Sequence, residues 1–136
     1  MKKIISSRTH TYIGWIVGIA LVAAPWIFQF DEVEPAKWSA IGVGLFILVN
    51  EALTTSPASL LKIVPMRLHI MLDVVTGIFL LATPFIFGFV DEDANAWVPH
   101  IVVGLLVAGY ALVTDTSDAV QPAGTDGIST ATRNNR

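Results

Sequence analysis

The chain has 136 residues, 54% hydrophobic and 14% charged, with a formal net charge of −3 and no cysteine. Soluble domains carry about 25% charged residues, so this chain lacks the charge to cover a water-facing surface, in keeping with its mean hydropathy of +0.66. The length allows one domain, the slight negative charge excludes the basic patch that nucleic acid requires, and the missing thiols exclude disulfides, thiol catalysis and thiolate metal sites.

Residues 1–11 form a short basic, polar lead with Lys2, Lys3 and Arg8. With Leu21-Val22-Ala23-Ala24 it has the outline of a signal peptide, but the apolar run continues through Pro25 to Phe30 and recurs inside the chain, so a retained membrane segment is expected. That run, Tyr12 to Phe30, would reach about 28 Å as a helix, close to the ~30 Å hydrocarbon core. An acidic turn follows, Asp31 to Lys37, and then a second run, Trp38 to Thr54, of about 25 Å. Residues 55–67 link the halves. Ser56-Pro57 reads as a helix start, and Leu60, Leu61, Ile63 and Val64 as an apolar stripe, so the expectation is a short helix lying in the interface. The third run, Leu68 to Val90, would span about 34 Å, and the fourth, Trp97 to Thr114, about 27 Å, with the acidic segment Asp91 to Ala96 between them. Residues 115–136 are rich in Gly, Ser, Thr, Asp and Asn, the composition of a disordered tail.

The two halves repeat. Ala24-Pro25-Trp26-Ile27-Phe28-Gln29-Phe30 is answered by Thr83-Pro84-Phe85-Ile86-Phe87-Gly88-Phe89, at an offset of 59 (84 − 25). At the same offset Arg8 answers Arg67, His10 answers His69, Gly18 answers Gly77 and Trp38 answers Trp97. Beyond Trp97 the offset becomes 60 (101 − 41), pairing Ile41 with Ile101, Gly44 with Gly104 and Thr54 with Thr114, as one inserted residue would cause. The expected fold is therefore all-α and polytopic: four transmembrane helices from two helical hairpins, repeat 1 at 12–54 and repeat 2 at 68–114. Lysine and arginine concentrate in the lead and the link, so both termini and the link are expected in the cytoplasm, with the acidic turns outside the cell (inner) membrane. Each hairpin then enters in the same sense, making the repeats parallel.

The duplicated proline–aromatic stretch resembles that of the SPW repeat family, small prokaryotic integral membrane proteins named for Ser-Pro-Trp near the end of the first of two membrane helices per repeat. The corresponding triplets are Ala24-Pro25-Trp26 and Thr83-Pro84-Phe85, and the resemblance runs from about Arg8 to Thr114. Serine is absent from both copies, so a role for its hydroxyl is lost in the first and left to Thr83 in the second. The resemblance implies the fold and no particular reaction.

Several residues invite a closer reading. Pro25 and Pro84 each free the carbonyl four residues earlier, at Leu21 and Leu80, which shapes either a solute cavity or a kinked helix end that splays aromatics into the headgroup zone; the second is expected. Gly14-x-x-x-Gly18, Gly77 and Gly104 are small-residue packing surfaces, expected to serve within the bundle, with dimerisation the other use. Asp73 lies inside an apolar run with His69 one turn before it, a candidate intramembrane polar site or an interfacial ion pair. Its counterpart is Gly14, which argues against a symmetric pair of acids. Asn50 and Glu51 are expected to face the cytoplasm or bond across helices. His10 and His69 are repeat partners on the same side and with Asp73 suggest a metal, but surface histidines are the expected reading. Asp91-x-Asp93-x-Asn95 imitates the start of a calcium loop, but Ala96 and Val102 stand where glycine and glutamate are required. No metal, cofactor or catalytic constellation is therefore expected. The leading functional reading is a structural or interaction module in the bilayer, as a homodimer or with a larger membrane partner. The alternative is a carrier of ions or small solutes with its path between the repeats.

Overall fold

The computed structural model describes residues 2–123, and the remaining stretch of the expected disordered tail, 124–136, lies outside the described residues. Four helices make up 66% of it: α1 (Ser7–Ile27), α2 (Glu34–Leu53), α3 (Met66–Ile86) and α4 (Ala94–Leu112). Each is long and apolar enough to cross a membrane. The faces turned away from the bundle carry exposed Ile16, Ile19, Leu45, Val75, Ile78 and Leu105, which fit a lipid bilayer. The protein is an all-α polytopic membrane protein of two helical hairpins. The α1–α2 and α3–α4 pairs pack tightly, and the hairpins meet mainly through α2 against α3 and α1 against α4.

The helices start earlier than hydropathy suggests, and at α1 a cap extends the helix into polar sequence. The Ser6 hydroxyl accepts from the Thr9 N–H and opens α1 ahead of Tyr12. Both first helices end alike. Beyond Pro25 the chain turns left-handed at Gln29 (φ 58°), and the Phe30 N–H returns to the Pro25 carbonyl at 2.8 Å, the Schellman closure. In the second copy Gly88 (φ 73°) takes the left-handed position and the Val90 N–H reaches the Pro84 carbonyl at 3.0 Å. The proline–aromatic stretch is thus a helix stop, and it seats Phe30 and Phe89, each 1% exposed, against the two sides of His100 with ring centroids 5.6 and 4.8 Å away.

The inserted residue sits earlier than the sequence comparison places it. Asp31, Glu32 and Val33 join Phe30 to α2, whereas Val90, Asp91, Glu92 and Asp93 join Phe89 to α4. The buried pairs Ala36/Ala96, Gly44/Gly104, Ile47/Val107 and Glu51/Ala111 then hold an offset of 60 (96 − 36) along the whole helix. Trp97 consequently answers Lys37 rather than Trp38. A one-residue slip is hard to see where both candidates are amphipathic and face the headgroups.

Two further expectations are corrected. Among the described residues the link holds no helix. Its N–H groups turn back on α2 instead: Leu60 and Leu61 donate to the Ala52 carbonyl, and Ile63 and Val64 to that of Leu53. An interfacial helix would spend those donors on itself and leave the last turn of α2 open. Nor are residues 115–123 a free tail. Thr114–Asp115 pairs in parallel with Ile5–Ser6, and the N–H groups of Val120 and Ala123 donate to the Thr55 and Lys62 carbonyls. The lead and the tail cap each other's helices: the Lys3 ammonium and the Ile4 N–H close the end of α4, while the Asp118 carboxylate accepts from the Ser7 and Arg8 N–H groups that open α1.

Candidate functional site

Directly beneath that cap, at the end of the bundle where α1 and α3 begin, four ionisable side chains converge. His10 (α1), Glu51 (α2), His69 and Asp73 (α3) are each 0% exposed. The Nε2 atoms of His10 and His69 are 3.1 Å apart, and Asp73 Oδ2 lies 2.9 Å from the first and 3.3 Å from the second. Glu51 Oε1 approaches His69 Nε2 at 3.4 Å. The four ligand atoms all lie within 4.8 Å of one another. His69 and Asp73 share a helix face one turn apart, about 4.5 and 10.5 Å into α3. Insertion scales charge about 2.5–3.5 kcal/mol for a carboxylate at a helix centre, and this site holds two.

The surrounding hydrogen bonds fix which atoms face inward. Thr114 Oγ1 donates to the Tyr110 carbonyl at 2.7 Å, and a carbonyl can only accept. The 2.7 Å bond between Thr114 Oγ1 and His10 Nδ1 therefore has the imidazole N–H as donor, and in the neutral ring Nε2 then turns its lone pair to the cluster. Asn50 donates to Asp73 Oδ1 at 3.1 Å and turns Oδ2 inward. Glu51 is different: among the described residues neither of its oxygens has a hydrogen-bond partner, and His69 Nδ1 and the Tyr110 hydroxyl have none either. A fully buried carboxyl without donors is held either neutral, with a proton of its own, or as an anion with a cation beside it.

Each hairpin supplies one histidine and one acid, by different routes. In hairpin 2 the acid is Asp73 on the first helix, and the Glu51 position is taken by Ala111. In hairpin 1 the Asp73 position is Gly14, and the Glu51 carboxylate from the second helix lies where a Gly14 side chain would stand. Comparison of equivalent positions alone pairs Asp73 with glycine and so conceals the second acid. His10 and His69, expected at the surface, are interior because the lead, link and tail close over them; of the two expectations for Asn50 and Glu51, both face the interior rather than the cytoplasm, and Asn50 bonds across helices to Asp73. His100, which the sequence reading did not single out, bridges the opposite end: its Nδ1 lies 2.8 Å from the Ala96 carbonyl and its Nε2 3.1 Å from that of Ala36.

The remaining candidates are placed as follows. Gly18 packs on Gly44 and Gly77 on Gly104, where added methyl groups would meet the facing backbone carbonyls. Gly14 belongs to the polar cluster. With Gly14 and Gly18 both turned to α2, that face is used inside the hairpin. Pro84 frees the Leu80 carbonyl, and the Thr83 hydroxyl takes it up at 2.7 Å. Ala24 has no hydroxyl to do the same for Leu21. Trp26, Trp38 and Phe85 are 58%, 60% and 64% exposed at the acidic-turn end, placed to sit among headgroups.

Outside the spanning segments, Asp118 is the titratable group that closes the cap. Its limited burial works to raise the carboxyl, but hydrogen bonds from Ser7 and Arg8 outweigh it and hold the group below its ordinary value of 3.8.

These features define a class: a four-helix membrane protein of duplicated hairpins, with a helix-stopping proline–aromatic stretch in each copy and a polar centre between them. The SPW repeat domain pattern matches residues 8–114, and the chain belongs to that family. No curated protein and no solved structure matches it.

Proposed function

We propose that this protein is a small integral membrane module of the cell membrane, both termini cytoplasmic, whose working part is a cation-binding centre formed by His10, Glu51, His69 and Asp73. The observation that carries the reading is the Glu51 carboxylate, fully buried with neither oxygen hydrogen-bonded among the described residues, beside a second buried carboxylate and two imidazoles. With neutral histidines the cluster carries two negative charges away from water, which helix packing alone does not require and which bound cation charge offsets. The lysines and arginines of the lead and link, set against the acids of the two turns, support the orientation.

This reading refines the interaction module and is favoured over a carrier. Between the centre and the acidic turns the interior is filled by Val17, Leu21, Val43, Ile47, Leu80 and Val107 in one apolar cluster. A groove of about 600 Å³ between α2 and α3 is lined by Trp38, Gly42, Phe46, Val75 and Phe79 and does not reach the centre. The test is the melting temperature of the purified, untagged full chain, stripped of metal by chelator, against a panel of monovalent and divalent cations at constant ionic strength. A ligand that binds only the folded chain raises that temperature. A rise of several degrees with at least one cation, abolished in Glu51→Gln/Asp73→Asn, is expected. An unresponsive melting curve across the panel contradicts the reading.

A further inference from the structure

We infer that the cation is a divalent transition metal of the zinc class, held in a closed four-ligand site that staples the two hairpins together. The inference rests on the cation-binding reading above and adds the identity and coordination of the ion.

Three observations carry it. The first is spacing. A tetrahedron with metal–ligand bonds of about 2.0–2.1 Å has edges of about 3.3 Å; four of the six inter-ligand distances here are 2.9, 3.1, 3.3 and 3.4 Å, and the two from Glu51 to His10 and Asp73 lie within 4.8 Å. The second is the donor set. Two imidazole nitrogens with two carboxylate oxygens suit zinc and its neighbours, whereas calcium takes six to eight oxygens and magnesium keeps an octahedron of oxygens with several waters. Lacking thiolate, the site does not select copper(I).

The third observation is the outer set of bonds. Metal-bound histidines donate their second N–H to an oxygen, and bound carboxylates are themselves hydrogen-bonded. His10 does the first through Nδ1 to Thr114, and Asp73 does the second through Asn50. One divalent ion cancels the two carboxylate charges. It would also give the Glu51 oxygen a partner.

The coordination joins the halves of the chain. His10 and Glu51 come from the first hairpin, His69 and Asp73 from the second, and Gly14 provides the gap through which Glu51 reaches the others. All four ligands belong to the protein and all are buried, the pattern of a structural rather than a catalytic site.

The test is cobalt(II) titration of the untagged full chain in detergent, after chelator treatment, with equilibrium dialysis of zinc alongside. Expected are about one ion per chain, visible absorption bands of tetrahedral intensity, and loss of those bands when zinc displaces cobalt. Glu51→Gln and Asp73→Asn should each weaken zinc binding by more than about 100-fold, beyond the ~10–100-fold typical of an outer partner such as Asn50. Should those variants misfold, the wild-type spectrum still reports the ligand geometry. His100→Gln leaving that spectrum unchanged places the ion away from the remaining histidine. Weak octahedral cobalt bands, or stabilisation by calcium, magnesium or monovalent ions alone, overturn the zinc-class assignment and leave the cation centre standing. No binding of any cation overturns both.

Discussion

The Nε2 atoms of His10 and His69, 59 residues apart in the chain, stand 3.1 Å from each other in the interior of the capped end of the bundle. The two histidines occupy equivalent positions in the duplicated hairpins, so their meeting marks the axis that relates the halves. Around it the duplication is broken in a compensated way: Gly14 with Glu51 on one side, Asp73 with Ala111 on the other. One acid per hairpin survives although no acid is matched by an acid.

The glycine pairs should govern how closely each hairpin closes. Gly77→Ala sets a methyl 2.7 Å from the Gly104 carbonyl and the Ala108 nitrogen, both backbone atoms, so α3 and α4 must separate. A loss of about 1–3 kcal/mol is expected, read as a lowered midpoint of unfolding in detergent. Gly42→Ala, where nothing lies within 4 Å, should be neutral or slightly stabilising, and a comparable loss there would refute the packing account.

Importing the second copy's residues into the first should stabilise it. Ala24→Ser supplies a hydroxyl for the Leu21 carbonyl, as Thr83 does for Leu80, a gain of about 0.5–1.5 kcal/mol if geometry follows. Gln29→Gly relieves a left-handed backbone position (φ 58°), and about 1 kcal/mol is expected. Conversely, Thr83→Val should cost about as much as Ala24→Ser gains. If Ala24→Ser has no effect and Thr83→Val none either, the hydroxyl has no part in closing the helix end.

The cap made by Asp118 predicts a pH dependence. Its folded-state carboxyl lies below the ordinary value of 3.8, so the contribution to stability is present above that value and is lost as pH falls through the lower, folded one. Hydrogen exchange at the Ser7 and Arg8 amides should accelerate in acid relative to the rest of α1. Asp118→Asn should show weaker protection at neutral pH and no acid-specific change; an unchanged acid response in that variant removes Asp118 as its cause.

How much of this was legible in the sequence differs between fold and site. Four apolar runs, two acidic turns and the recurring proline–aromatic stretch lead directly to two membrane hairpins, because burial in lipid leaves few other solutions. The site was half visible. Asp73 and His69 stand out as an i, i+4 pair inside an apolar run. His10 is marked as the repeat partner of His69; Glu51 is not, since it sits on a helix with no equivalent acid and comes near Asp73 only through the gap at Gly14. One signal was available: His10, Glu51, His69 and Asp73 all lie within about two turns of the same end of the hairpins, so the topology alone sets them at one depth. The link failed as a helix because its donors close α2, a tertiary demand that local composition does not register.

The central claim is that each hairpin gives one histidine and one acid to a single buried centre, and one pair of variants tests it most directly. Glu51→Ala removes the first hairpin's acid; Gly14→Asp/Glu51→Ala restores it in the arrangement used by the second. The quantity to measure is the cation-induced rise in melting temperature, with helical content and monodisperse elution confirming an intact fold. The account predicts that Glu51→Ala loses the rise and that the double variant recovers most of it. A folded double variant no more responsive than Glu51→Ala would contradict it.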